Sequence, residues 1–267
     1  MKEKERLDLL LTERGFFESR EKARAAVMAG AVFVKGKRVD KAGTKIDIHE
    51  DITVRGNPVP YVSRGGLKLE KALRAFSLDL RGCRMIDIGA STGGFTDCAL
   101  QNGAAEVVAV DVGYGQLAWK LRTDKRVVNM ERTNIRHVTP ADTGGPADFI
   151  SVDVSFISLL KIMEAVVPLL REGGSIVTLI KPQFEAGREA VGKGGIVRDI
   201  RVHKEVAARV VAGVASAGLS PSGLTFSPVK GADGNVEYLL YSRKDTPVHN
   251  EVTDEIISDV VDRSHEM

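Results

Sequence analysis

Asp87-Ile88-Gly89-Ala90-Ser91-Thr92-Gly93-Gly94-Phe95 joins an apolar run, Met85 to Ile88, to a helix-like segment, Phe95 to Asn102. This is the pattern of a strand, a glycine-rich turn and a helix N-terminus, where missing side chains let the backbone approach a ligand. A second apolar run, Val107 to Val110, ends in Asp111, about twenty residues beyond the turn, where an acid in an open α/β sheet usually holds a ribose. The pair points to a nucleoside cofactor. The turn lacks the G-x-G-x-x-G spacing that cradles a pyrophosphate, which counts against a dinucleotide. S-adenosylmethionine has no pyrophosphate and tolerates such a loop. Asp87, Ser91 and Gly94 are candidate contacts within the turn.

Outward from the turn, apolar runs alternate with helical periodicity, which predicts an α/β fold with an open, mostly parallel sheet. Strands are expected near 84–89, 106–111, 127–131, 148–153, 175–180, 223–229 and 236–242. Only Lys230 to Asn235 separates the last two, too short for a parallel crossover, so that pair is antiparallel. Covering helices are expected over Ser158 to Leu170 and Val202 to Ala217, and an amphipathic helix over Leu67 to Phe76 with Lys68 in its first turn. Three strand ends carry charge: Asp153 closes Ile150-Ser151-Val152, Lys181 closes Thr178-Leu179-Ile180, and Glu237 opens the last strand. The carboxyl ends of such strands form the ligand crevice. A single charge there is more often a structural ion pair; Lys68, Asp153, Lys181 and Glu237 together are a set.

The chain has 28% charged and 43% hydrophobic residues, ordinary for a globular protein, and a formal charge of +2. No apolar run approaches the ~20 residues that span a bilayer. Met1-Lys2-Glu3-Lys4-Glu5-Arg6 is followed by no secretory h-region, and the two cysteines, Cys83 and Cys98, lack metal-ligand spacing. The expectation is a cytoplasmic protein with no metal. Residues 1–60 hold thirteen Lys/Arg against ten Asp/Glu, and from Arg14 to Arg38 the balance is seven against two. Such a basic patch fits a phosphate-bearing partner as well as a solvated helix face.

The segment before residue 60 has its own organisation. Leu7, Leu10 and Leu11 recur at helical spacing, Ser19 caps a second helix that Gly30 ends, and Lys35-Gly36-Lys37 lies between Ala31–Val34 and Arg38-Val39 as a hairpin turn. Arg6-Leu7-Asp8, Gly15, Ser19-Arg20, Ala23, Gly30, Val32, Val34, Gly36 and Val39 resemble the alpha-L (S-four-type) RNA-binding module. The resemblance implies RNA contacts from Arg20, Lys22 and Arg24 on the second helix and Lys35 and Lys37 in the hairpin, with Arg6 and Arg64 as further basic candidates. Phosphate and shape contacts would dominate.

The order Lys68, Asp153, Lys181, Glu237 resembles the tetrad of FtsJ-type RNA 2′-O-methyltransferases, and with the RNA module in front the chain resembles the TlyA (hemolysin-A) family. The resemblance implies a class I methyltransferase fold, S-adenosylmethionine as cofactor, and ribosomal RNA or ribosomal subunits as partner, methylated on a ribose, with cytidine the expected nucleoside. It also implies cofactor contacts from Gly89, Gly93, Phe95, Asp111, Asn134 and Asp153. Some members carry Arg-x-Trp-Val where this chain has Val59-Pro60-Tyr61-Val62. A ribose hydroxyl must lose its proton as it attacks, so Lys181 is read either as a base, its pKa lowered beside Lys68, or as a cation stabilising the alkoxide. Asp153 and Glu237 would orient the lysines, and no metal is needed. The rivals are a non-catalytic RNA-binding ribosome factor and a hemolysin-like membrane-active protein. A base methyltransferase would carry an Asn-Pro-Pro-Tyr or catalytic Cys motif.

The expected domains are 1–58 (RNA-binding), 59–64 (linker), 65–245 (methyltransferase) and 246–267 (an acidic helical tail). Gly187 to Gly195 is expected to form a flap over the site. In the tail, Val252, Ile256, Ile257, Val260 and Val261 fit a stripe that docks on the sheet or a neighbour. Trp119 is expected to pack below the cofactor site.

Overall fold

The computed structural model describes residues 4–17, 19–55, 59–231 and 234–266, in two compact units, residues 1–64 and 65–267. Met1 to Glu3, Asn57 and Pro58 at the end of the expected RNA-binding segment, Ala232 and Asp233 before the last strand, and Met267 in the tail lie outside the described residues.

The first unit runs β1 (Lys4–Arg6), α1 (Leu7–Glu13), α2 (Arg20–Met28), β2 (Val32–Val34), β3 (Lys37–Arg38), β4 (Lys45–Asp47) and β5 (Ile52–Val54). β1 pairs with β4, and β3, β2 and β5 form a small antiparallel sheet. The Ser19 side chain accepts from the Lys22 N–H and starts α2; Gly30, at φ +75°, lets the chain turn off its end. Lys35 and Gly36 both have positive φ, the geometry of a two-residue I′ hairpin turn. Leu7, Leu10 and Leu11 pack on Ala23, Ala26 and Val27, with Val32 and Ile52 closing the core.

The second unit begins with α3 (Gly65–Ala75), β6 (Arg84–Ile88), α4 (Gly94–Gln101), β7 (Glu106–Val110), α5 (Trp119–Arg122), β8 (Val127–Met130) and β9 (Ala147–Val152). It continues with α6 (Met163–Val166), β10 (Leu170–Ile180), α7 (Pro182–Glu185), α8 (Ile200–Ser216), β11 (Ser220–Phe226), β12 (Tyr238–Arg243) and α9 (Asp254–His265). The seven strands lie in the order β8-β7-β6-β9-β10-β12-β11, parallel except for β12. From β6 the chain steps outward through β7 and β8, then returns to place β9 on the other side of β6. That reversal opens a crevice at the carboxyl ends of β6 and β9. Ile86, Ile88, Val108, Val110, Ile150 and Val152 are almost fully inaccessible, the continuous apolar filling of a sheet covered on both faces.

Three expectations need correction. The segment 158–170 is not one helix: 3-10 turns at 159–161 and 167–169 flank the single turn of α6. Pro168 lacks the N–H a continuing helix needs, and Val166 and Val167 are β-branched. Trp119 opens α5 at 74% exposure, while its neighbours Leu117 and Leu121 are buried in its place. In the tail, Val252, Ile257, Val260 and Val261 are buried as α9 packs on α8 and β11, but Ile256 falls beside the stripe and is 40% exposed. No helix among the described residues is long and apolar enough to cross a membrane.

Candidate active site

The glycine turn after β6 is shaped by close approach. Gly89, at φ +84°, sits against the Asp153 backbone, and a Cβ there would lie 2.8 Å from the Asp153 carbonyl carbon. Gly93, at φ +92°, lies over Leu117 and Leu121, where a Cβ would come 2.8 Å from the Leu117 Cδ1. Ser91 also has positive φ and donates its N–H to Asp111 at 2.7 Å; Gly113 N–H reaches the other Asp111 oxygen, also at 2.7 Å. Asp111 thus ties the loop after β7 to the turn after β6 while remaining partly exposed. Phe95 is 4% exposed in the first turn of α4. Asn134, beyond β8, is exposed and caps a short 3-10 turn by accepting from Arg136 N–H.

Asp87 is not a surface of this turn. It is 0% exposed. One oxygen accepts from the Thr96 N–H at 3.0 Å and hydroxyl at 2.7 Å, and the other accepts from the Ser151 hydroxyl at 2.7 Å. The expected direct cofactor contact is corrected: Asp87 caps α4 from the strand and pins β9 beside it. Burial, with the Asp153 charge adding, pushes its carboxyl up to about 6 against the pull of those hydrogen bonds.

The four charged candidates meet in one row. Because β12 runs against β10, with Tyr238 opposite Ile180, its first end arrives at the carboxyl ends of β9 and β10. Glu237 Oε2 lies 2.6 Å from Lys68 Nζ; Lys68 Nζ lies 3.2 Å from Asp153 Oδ2; Asp153 Oδ1 lies 2.5 Å from Lys181 Nζ. Lys181 also donates to the Ser155 hydroxyl at 3.0 Å. Burial alone would pull Lys68 down, but Asp153 and Glu237 outweigh it and hold the ammonium above its ordinary value. Burial would push Asp153 up, but Lys68 and Lys181 outweigh it and hold the carboxylate low. Two lysines thus alternate with two acidic side chains, and Asp153 joins this row to the glycine turn through Gly89.

The rim of the site carries residues not singled out from the sequence. Phe156 follows Ser155 at 91% exposure with φ +65°, an outlier for a bulky side chain. Its ring lies 5.1 Å from that of Phe184, which lies 5.9 Å from Lys181 Nζ. The available signal was position: Ser155 and Phe156 stand two and three residues after a strand-end acid.

In the first unit, Arg20, Lys22, Arg24, Lys35, Lys37 and Arg64 are exposed and Arg6 is half-buried. They are not all alike. Arg6 and Arg20 are both held by fully buried Asp8, at 3.0 and 2.9 Å, and Lys35 pairs with Glu50 at 2.7 Å.

The FtsJ-like methyltransferase family matches residues 61–244, and the S4 domain family matches residues 5–52. A Bacillus subtilis protein, YqxC, described as a candidate rRNA methyltransferase, is 56% identical over 98% of this chain and 94% of its own. The 16S/23S rRNA (cytidine-2′-O)-methyltransferase TlyA of Mycobacterium tuberculosis is 43% identical, covering 92% of both chains. The solved structure of a candidate hemolysin from Streptococcus thermophilus, 49% identical, superposes with a TM-score of 0.80 over all of this chain and 97% of that one.

Proposed function

Because the chain belongs to the TlyA family of FtsJ-like methyltransferases, we propose that it methylates the 2′-oxygen of a cytidine ribose in ribosomal RNA, using S-adenosylmethionine. The row Glu237–Lys68–Asp153–Lys181 at the sheet's carboxyl edge carries this reading. The M. tuberculosis relative's stated reaction supplies the nucleoside and the class of RNA.

The turn suits the cofactor: where Gly89 lies, a side chain would collide with Asp153, so only bare backbone lines that wall. Gly89, Ser91, Gly93 and Gly94 would bring the backbone against the nucleoside, with Phe95 packing beneath. Asp111 keeps lone pairs for the ribose hydroxyls, and Asn134 borders the base. The group held there would be a sulfonium whose methyl is electrophilic and whose sulfur would end as a neutral thioether. Asp87 acts through Thr96 and Ser151 by fixing the turn.

Lys181 Nζ is anchored by Asp153 and Ser155, which leaves one of a lysine's three N–H groups for the substrate. Aimed at the 2′-oxygen, it would stabilise the negative charge that builds as the oxygen–methyl bond forms and the hydroxyl proton passes to water. Lys68, gripped by Asp153 and Glu237, adds a second positive charge and keeps Asp153 in line. Phe156 presents an exposed ring face on which a base can stack. In the S4 unit, residues 1–58, Lys22, Arg24, Lys35 and Lys37 would engage phosphates beside the fixed pair Arg6 and Arg20, with Arg64 in the linker 59–64. Residues 65–245 perform the transfer, and the tail braces α8 and β11.

The test supplies tritiated S-adenosylmethionine to purified ribosomal subunits and naked rRNA, comparing wild type with Lys181→Ala. Label at a ribose that resists alkaline cleavage, lost in the variant, is the expected result. Unlabelled RNA despite measured cofactor binding would overturn it in favour of a non-catalytic RNA-binding factor.

A further inference from the structure

The loop that leaves Lys181 through α7 and returns into α8 is fastened at its return limb. Val197, 3% exposed, has both backbone groups engaged. Its N–H donates to Asn235 Oδ1 at 3.2 Å, and its carbonyl lies 2.9 Å from His203 Nε2. A carbonyl can only accept, so Nε2 carries the proton and Nδ1 accepts from the Tyr238 hydroxyl at 2.8 Å. The Asn235 amide also donates to the Gly195 carbonyl at 2.9 Å, so one side chain replaces a pair of strand-like bonds along the limb. Asn235 and Tyr238 are the residues that bracket Val236-Glu237.

The same asparagine shapes the wall around Glu237. Its main-chain carbonyl accepts from the Gly231 N–H at 2.9 Å. Gly231 lies so close to the carboxylate that a Cβ there would come 2.8 Å from Glu237 Cδ. Asn235 is itself 2% exposed.

We propose that Asn235 is a positioning residue for the transfer reaction: its amide clasps the 195–197 limb to the segment carrying Glu237, and so holds that carboxylate on Lys68. The loop then has one end at Lys181 and the other beside Glu237, bracketing the row of four charges. This rests on the reading of that row as a methyl-transfer centre. A buried asparagine that only stabilised the fold would lower the melting temperature and leave turnover of the folded enzyme alone.

The experiment uses the full chain with Asn235→Ala and Asn235→Asp; the aspartate keeps the acceptor for Val197 but sets a carboxylate oxygen against the Gly195 carbonyl. Turnover and KM for S-adenosylmethionine are measured on ribosomal subunits, with hydrogen exchange at the Val197 amide. Val214→Ala, a buried change in α8, serves as the control for thermal cost alone. Both Asn235 variants should lose roughly 10- to 100-fold in kcat, the penalty of a catalytic group misplaced by about 1 Å. KM for the cofactor should hold, Val197 should exchange faster, and Val214→Ala should keep wild-type kcat. Should Asn235→Ala not fold, Asn235→Asp decides. Wild-type kcat in the folded Asn235 variants, or equal loss in Val214→Ala, would overturn the proposal. A wild-type enzyme that methylates no RNA would instead remove the reading on which it rests.

Discussion

Lys68 and Glu237, 169 positions apart in the chain, meet at 2.6 Å between Nζ and Oε2. The contact spans the whole catalytic unit: Lys68 stands in the first turn of α3, before the sheet begins, and Glu237 at the entrance to β12, its last strand in sequence. Only the antiparallel insertion of β12 brings that entrance to the edge where the parallel strands end. Both side chains are at most 10% exposed, so their charges act in a poorly screened setting.

Replacing that carboxylate by its neutral isostere isolates the charge. Glu237→Gln leaves Asp153 as the one carboxylate on Lys68 among its described partners. The exchange should lower single-turnover methylation on the order of 10²-fold, the scale of a misplaced charged catalytic group. Stability should fall by about 1–3 kcal/mol in denaturant melts, as for loss of a charged hydrogen bond. Cofactor affinity should stay at the wild-type value, because Lys68 and Asp153 stand between Glu237 and the glycine turn. An unchanged methylation rate would remove Glu237 from the centre.

Phe156 combines strain with exposure. Its backbone sits at φ +65° and 91% of the residue is accessible, though its ring is bulky and apolar. Strain of this kind persists at sites where it serves function. Stacking of a base on an aromatic ring contributes about 1–3 kcal/mol, so Phe156→Ala should reduce kcat/KM for RNA by roughly 5- to 150-fold. Phe156→Trp should retain activity. Phe156→Gly should match the alanine variant in activity but exceed it in stability by about 1 kcal/mol, since glycine adopts positive φ freely. Full activity in both small variants would exclude a stacking role.

The strand-end charges were legible because an apolar run buried on both faces must stop where charge begins, and Asp111, Asp153 and Lys181 each mark such a stop. Glu237 was legible only through the short connection before it, which required an antiparallel neighbour. Asp87 was misread for a physical reason. Strand side chains alternate direction, and the sequence does not reveal that this acid turns inward to Thr96 and Ser151. The grip of Asp8 on Arg6 and Arg20 was equally hidden, since it depends on how α1 and α2 pack. Nor does a side chain's name disclose the positive φ of Phe156.

Asp87 should make stability depend on pH in a direction opposite to that of an ordinary salt-bridged acid. Its carboxyl is raised from 3.8 to about 6 in the folded protein, so the native state binds more protons than the unfolded chain between those values. Its favourable contribution is complete below about 4, declines as pH rises to about 6, and is absent above; the shift corresponds to about 3 kcal/mol. Asp87→Asn keeps an acceptor for Thr96 and does not titrate. The stability of wild type minus that of Asp87→Asn should therefore rise as the pH is lowered from about 6 to about 4 and stay flat above. A difference independent of pH would show that Asp87 is ionised throughout.

Asp8 offers the sharpest test of the S4 surface, because charge and geometry predict opposite outcomes. Hydrogen bonding from Arg6, helped by Arg20, holds its carboxyl at about 2 against the upward push of burial. Removing this acid makes the surface more positive, which by Coulomb attraction alone should tighten RNA binding. The two guanidinium groups, however, are fixed by that one carboxylate, and released they lose the arrangement that presents their remaining N–H groups to phosphate. Asp8→Asn should therefore weaken rRNA binding despite the gain in net charge. Arg20→Ala should weaken it and reduce the slope of log K against log salt by about 1, as for one lost phosphate contact. The stabilising contribution of Asp8 is present above the ordinary carboxylate range and disappears as pH falls through about 2, so wild type and Asp8→Asn should converge in stability in that acid window. Tighter RNA binding by Asp8→Asn at every salt concentration would mean that net charge governs this surface and that Asp8 has no part in arranging it.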